Sequence, residues 1–104
     1  MIRERMHIVT RDGPGRIRAL ETVDECNRLC GEREWPTTRV WTPVAGSFNE
    51  LVLETDFADL ATYADVHQQM DDDTNWQIII KPLIDAMLIE HSQRELLSLH
   101  DDRD

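Results

Sequence analysis

A chain of 104 residues is long enough for one domain that buries about two thirds of the surface its unfolded form exposes, with no need of staples. Its 40% apolar and 31% charged content is that of a folded domain, which excludes a disordered chain. Eleven Lys plus Arg against 21 Asp plus Glu give a formal charge of −10, which disfavours nucleic acid and anionic membrane surfaces as partners.

The stretch "IRERMHIVT" alternates with period two. Ile2, Glu4, Met6 and Ile8 fall on one side and Arg3, Arg5, His7 and Val9 on the other, the pattern of a strand. "RDGPG" breaks it. From Arg16 to Cys30 the apolar positions Ala19, Val23, Cys26 and Cys30 recur at spacings of three and four, which predicts an amphipathic helix ended by Gly31. "TTRVWTPVAG" and "SFNELVLETDF" predict a hairpin with a short turn at "AGS", and Pro43 belongs at an edge or bulge. Helical spacing returns through Leu60, Tyr63, Ala64, His67 and Met70, with Asp56 as a plausible N-cap. The acidic run Asp71 to Asp73 interrupts it, and a second helical piece starts near Thr74, with Pro82 ending or kinking it. "SQRELLSLH" then alternates as a last strand.

The resulting order, β-α-β-β-α-β, is the ferredoxin-like split pattern of an α+β domain: a four-stranded antiparallel sheet with its helices on one face. One such domain spans residues 1–100, and residues 101–104, "DDRD", read as an acidic tail. The N-terminal "MIRERMHIV" lacks the apolar core of a signal peptide, and no stretch is long enough to span a membrane. With two cysteines, a cytoplasmic location is expected.

The hairpin "FNELVLE" running through "TDFADLATYADV" into a helix, the acidic turn before a tryptophan in "DDDTNW", and the closing strand "RELLSL" resemble small NIPSNAP-like proteins of the dimeric α/β-barrel superfamily. The resemblance covers Met1 to His100. It implies a homodimer whose two sheets pack face to face into a barrel, with a cleft between each sheet and its helices or within the barrel. Members of that superfamily include cofactor-independent monooxygenases, haem-degrading enzymes, dismutating enzymes and many proteins of no known activity. No set of residues here matches the catalytic pattern of one such branch, so the fold fixes no reaction.

If Leu51, Leu53, Met6, Ile8, Leu97 and Leu99 face the helices, Glu50, Val52 and Glu54 share the open face with Arg3, Arg5, His7, Arg94, Ser98 and His100. The mixture of charges with Val9, Val52, Leu96 and Trp41 makes that face a candidate for burial against a second copy. Its carboxylates and guanidiniums then form cross-strand ion pairs at the dimer seam. The competing reading makes His7 an acid or base oriented by Glu54 or Glu50, with Arg5, Arg39 or Arg94 holding an anionic substrate group.

Trp41 walls a pocket or fills the interface, and His67 is either a hydrogen-bonded boundary residue or part of a cavity wall. Cys26 and Cys30 read as core, Trp76 as an anchor of the last helix, and Trp35 as a cover for the end of the first. Neither a metal site nor a cofactor is expected, and nucleophile elbow and phosphate loop are both missing. The leading expectation is a homodimer binding a small, partly apolar molecule. A cofactor-independent monooxygenase acting on an aromatic or polyketide-like compound, and a structural or assembly module, are the alternatives.

Overall fold

In the computed structural model, which describes residues 1–100, the strands β1 (Ile2–Val9), β2 (Thr38–Trp41), β3 (Glu50–Phe57) and β4 (Gln93–Ser98) form one sheet in the order β2-β3-β1-β4. All three pairings are antiparallel. Helix α1 (Gly13–Arg33) connects β1 to β2, and α2 (Leu60–Asp72), α3 (Thr74–Ala86) and a 3₁₀ turn (Ile89–His91) connect β3 to β4. This is the ferredoxin-like arrangement. The expected acidic tail, 101–104, lies outside the described residues.

Register decides which side chains meet the helices. Ile8 pairs with Leu51, Met6 with Leu53, Glu4 with Thr55 and Ile2 with Phe57, so these share one face. Ile8, Leu51 and Leu53 bury themselves against Ala19 and Val23 of α1 and Leu83 of α3. A second cluster joins Phe57 to Cys30, Trp35, Val66 and Met70, with Tyr63 and Trp76 at its edge. Cys30 is buried in this cluster and Cys26 is buried on α1, and Trp76 packs at the cluster's edge, in line with the core readings of all three; Trp35, read as a cover for the end of the first helix, is itself buried in the cluster.

Several local expectations are corrected. Helix α1 starts at Gly13, where the Asp12 carboxylate accepts from the Gly15 N–H at 2.6 Å. It runs past Gly31 and ends at Glu34, whose φ of 59° is left-handed. Burial of the next residue explains that choice: Trp35 turns inward, stacks edge-on against Trp76 and donates Nε1–H to Gln69 at 2.9 Å. Asp59, rather than Asp56, caps α2, accepting from the Thr62 N–H at 2.7 Å. Strand β2 stops at Trp41, and the hairpin connection runs through Pro43 to Asn49, longer than a tight "AGS" turn.

Pro82 sits inside α3 without ending it. The carbonyl of Ile78 loses its helical donor there, and Ile78 lies exposed, where water can replace that donor.

The expected facing of β4 is reversed. Met6 pairs with Arg94, Glu4 with Leu96 and Ile2 with Ser98, which puts these β4 residues on the helix side and Glu95 and Leu97 on the open side. "RELLSL" carries leucine at both parities, so apolarity alone could not choose the register. On an edge strand that the helices leave partly uncovered, with Leu96 47% exposed, burial does not choose it either. Leu99, expected to face the helices, lies beyond β4 and is exposed, and His100 lies beyond it too.

Candidate functional site

On the helix face of the sheet, the β1 alternation places one carboxylate, Glu4, in the row Ile2, Met6, Ile8. The α2 stripe then lowers Tyr63 and His67, four residues and one turn apart, onto it. Tyr63 Oη donates to Glu4 Oε2 at 3.1 Å, and His67 Nε2 lies 3.3 Å from the same oxygen. That imidazole contact is at ion-pair distance but out of line for a hydrogen bond, so the buried Nε2 keeps capacity for another partner. From β4, Arg94 Nη1 comes within 3.6 Å of Oε2.

Glu4 is 7% exposed, a position that is costly for a charge without compensation. Burial pushes its carboxyl up, but His67, Tyr63 and Arg94 together outweigh that and hold it below the ordinary carboxylate range. The phenol of Tyr63 is pushed the other way, by its burial and by the Glu4 charge, and so stays a donor.

Beside this cluster a cavity of about 400 Å³ opens between sheet and helices. Its wall is mostly apolar: Val23 and Cys26 from α1, Leu53 and Phe57 from β3, Trp76 and Leu83 from α3. Glu4, His67 and Arg94 line it as well, and Asp71 adds a further carboxylate. Burial in this wall, reinforced by Cys30 and Glu25, pushes the Cys26 thiol up to about 12. Burial thus favours the protonated thiol, which packs as a small apolar surface.

The open face has a different character. Glu54 Oε2 accepts from Arg5 Nε at 2.8 Å and Oε1 from Trp41 Nε1 at 2.8 Å, with Arg39 3.5 Å away. Asp56 takes two bonds from Arg3, at 2.8 and 3.1 Å, and Arg39 bridges to it at 3.5 Å. Arg5 and Trp41 hold the Glu54 carboxyl low, and Arg3 does the same for Asp56. His7 pairs with Glu95 at 3.5 Å, half exposed, beside a shallow open depression bounded by Arg3, Arg5, Trp41, Val52 and Glu54. Glu50 is exposed at the end of the ladder, opposite Val9.

The predicted site residues thus divide between two faces. His7, Glu50, Glu54, Arg5, Arg39 and Trp41 gather on the open side, where Glu54 contacts Arg5, Arg39 and Trp41 and His7 turns to Glu95. His67 and Arg94 meet in the cavity, Arg94 contrary to the open-face position expected for it. Sequence reasoning missed Glu4 and Tyr63. The pointer to Glu4 was available: a lone carboxylate on the apolar row of a strand must find a buried partner.

Solved structures repeat the fold across nearly the whole chain. An uncharacterised NIPSNAP domain protein from Burkholderia xenovorans superposes with a TM-score of 0.76 at 18% identity, covering 100% of this chain and 99% of that one. A NIPSNAP family protein from Agrobacterium tumefaciens gives 0.74 at 19% identity, with 97% and 94% covered. The cofactor-independent oxygenase SnoaB from Streptomyces nogalater gives 0.72 at 7% identity, with 95% and 92% covered. No curated protein sequence matches the chain. The family model for NIPSNAP matches residues 15–102, from the first turn of α1 to past the end of β4, and the chain belongs to the NIPSNAP family.

Proposed function

We propose that the chain works as a homodimer that binds a small, partly apolar molecule between its sheet and its helices. The observation that carries this reading is the cavity of about 400 Å³, within the size range of small-molecule sites, with Glu4, His67 and Arg94 converging on an otherwise apolar wall. In this reading the open-face residues, Arg5, Arg39, Trp41, His7, Glu50 and Glu54, belong to the seam between two copies. Their near-complete ion pairing around a Trp41 ring that is still 56% exposed supports that assignment. The free thiols of Cys26 and Cys30 support a reducing, cytoplasmic compartment.

Native mass spectrometry of protein purified from its own host tests both parts. It should show a dimer mass with a retained small molecule, and an Ile80→Trp change that fills the cavity should lose the molecule. Dimer mass without any ligand, from protein that also takes up no apolar probe, refutes the binding reading. Light scattering should find the dimer at micromolar concentration and a monomer for Trp41→Glu; a monomeric parent chain refutes the seam.

A second reading, a cofactor-independent monooxygenase acting on an aromatic or polyketide-like compound, draws support from one contact. His67 Nε2, next to the Glu4 carboxylate on the cavity wall, is placed to take a proton from a bound molecule. Oxygen uptake with a dihydroxynaphthalene should then be lost in His67→Ala. Uptake equal in both proteins counts against it.

A further inference from the structure

We infer that the cavity takes an uncharged apolar molecule bearing a hydroxyl group and rejects the carboxylate of the same shape, with Glu4 accepting the ligand's O–H. This rests on the binding reading above and gives its ligand a polarity. The presence of an arginine and a histidine in the cavity wall would ordinarily suggest an anion site. The charge balance points the other way.

Tyr63, His67 and Arg94 all approach one oxygen of Glu4, Oε2, at 3.1, 3.3 and 3.6 Å. Among the described residues no donor is directed at Oε1, whose lone pairs remain for a ligand donor. Among the described residues Arg94 is the only arginine or lysine on the cavity wall, next to the imidazole of His67, against the carboxylates of Glu4 and Asp71. It also stands at the rim with its side chain 56% exposed and already faces Glu4, so its charge is both shared and screened by water. Glu4, by contrast, is buried, and a second negative charge beside it meets repulsion that solvent weakens little.

A neutral hydroxyl avoids that repulsion and satisfies the wall on both sides. Its hydrogen goes to Glu4, and its oxygen can accept from His67 Nε2, the buried nitrogen left without a hydrogen bond. The rest of the molecule lies on Val23, Leu53, Trp76 and Leu83.

Calorimetric titration of the full chain at neutral pH with naphthalene, 1-naphthol and 1-naphthoate tests this. The naphthol is uncharged there, since a phenol ionises only near pH 10, roughly. Naphthol should bind about tenfold or more tighter than naphthoate, and Glu4→Gln should erase most of that difference by weakening the naphthol and admitting the naphthoate. Naphthoate binding as tightly as naphthol, or a ratio unchanged in Glu4→Gln, overturns the inference while leaving the cavity a binding site. Should circular dichroism show Glu4→Gln unfolded, Arg94→Gln serves instead: it should widen the preference for naphthol, and a narrowed or unchanged preference is the overturning result. If none of the three compounds binds, the binding reading falls and this inference with it.

Discussion

Cys26 offers a quantitative check on where the cavity lies. Its thiol is buried at 6% exposure on the cavity wall, and its pKa is pushed from 9.0 to about 12 by that burial first and by Cys30 and Glu25 after it. At pH 8 a thiol of ordinary pKa is about one tenth ionised, whereas at about 12 the fraction is roughly one in ten thousand. Since the thiolate is the nucleophile, the folded chain should react with an uncharged maleimide about a thousandfold more slowly at Cys26 than the urea-unfolded chain. Local opening sets a floor on that protection. Time-resolved labelling, quenched and read by peptide mass so that Cys26 and Cys30 are followed separately, measures the ratio. Labelling of folded Cys26 within about tenfold of the unfolded rate would show a solvated thiol, and the α1 wall of the cavity would be wrong.

Two further outcomes follow from packing and charge. Leu51→Ala, at a fully buried site between Ile8 and the helices, should cost about 3 to 5 kcal/mol, and Leu83→Ala, which already borders empty space, about 2 to 3. Urea unfolding of both variants checks the order, and equal costs would argue that the cavity is filled by packing in solution. The carboxyls of Glu4, Glu54 and Asp56 are all held lower in the fold than in the unfolded chain. They therefore stabilise fully above the ordinary carboxylate pKa of about 4, and that contribution is lost as pH falls through their lower folded values. The urea midpoint should drop steeply below about pH 4, and less steeply in a Glu4→Gln, Glu54→Gln double variant; parallel curves would refute the linkage.

The parts of the fold legible in the sequence were those where apolarity has one period and one answer. β1 and β3 alternate cleanly, so the two rows of each strand could be read, and the observed register puts the row of Arg5, His7 and Glu54 on the open face, as expected if Leu51 and Leu53 face the helices. In α2, the helical recurrence of Tyr63, His67 and Met70 was enough to put His67 on an inward stripe. What could not be read was set by contacts distant in sequence. The end of α1 follows from the burial of Trp35 against Gln69 and Trp76, which no local cap at Gly31 discloses. The register of β4 follows from its ladder with β1, because "RELLSL" is apolar on both sides.

That one register is what assembles the candidate site. With Arg94 opposite Met6, its guanidinium reaches the oxygen of Glu4 that Tyr63 and His67 also approach. Shifted by one residue, β4 would send Arg94 to the open face and bring Glu95 to the helix side beside Glu4, placing two carboxylates together where water is scarce. The buried Glu4 charge thus selects the register that apolarity leaves undecided, and the register in turn keeps that charge buried, ionised and facing the cavity. The same carboxylate serves the fold and the site. Replacing it with a neutral isostere should therefore relax ligand preference and loosen the β4 edge at once. Amide exchange along β4 should speed up in Glu4→Gln relative to β3, and exchange unchanged across both strands would separate the two roles.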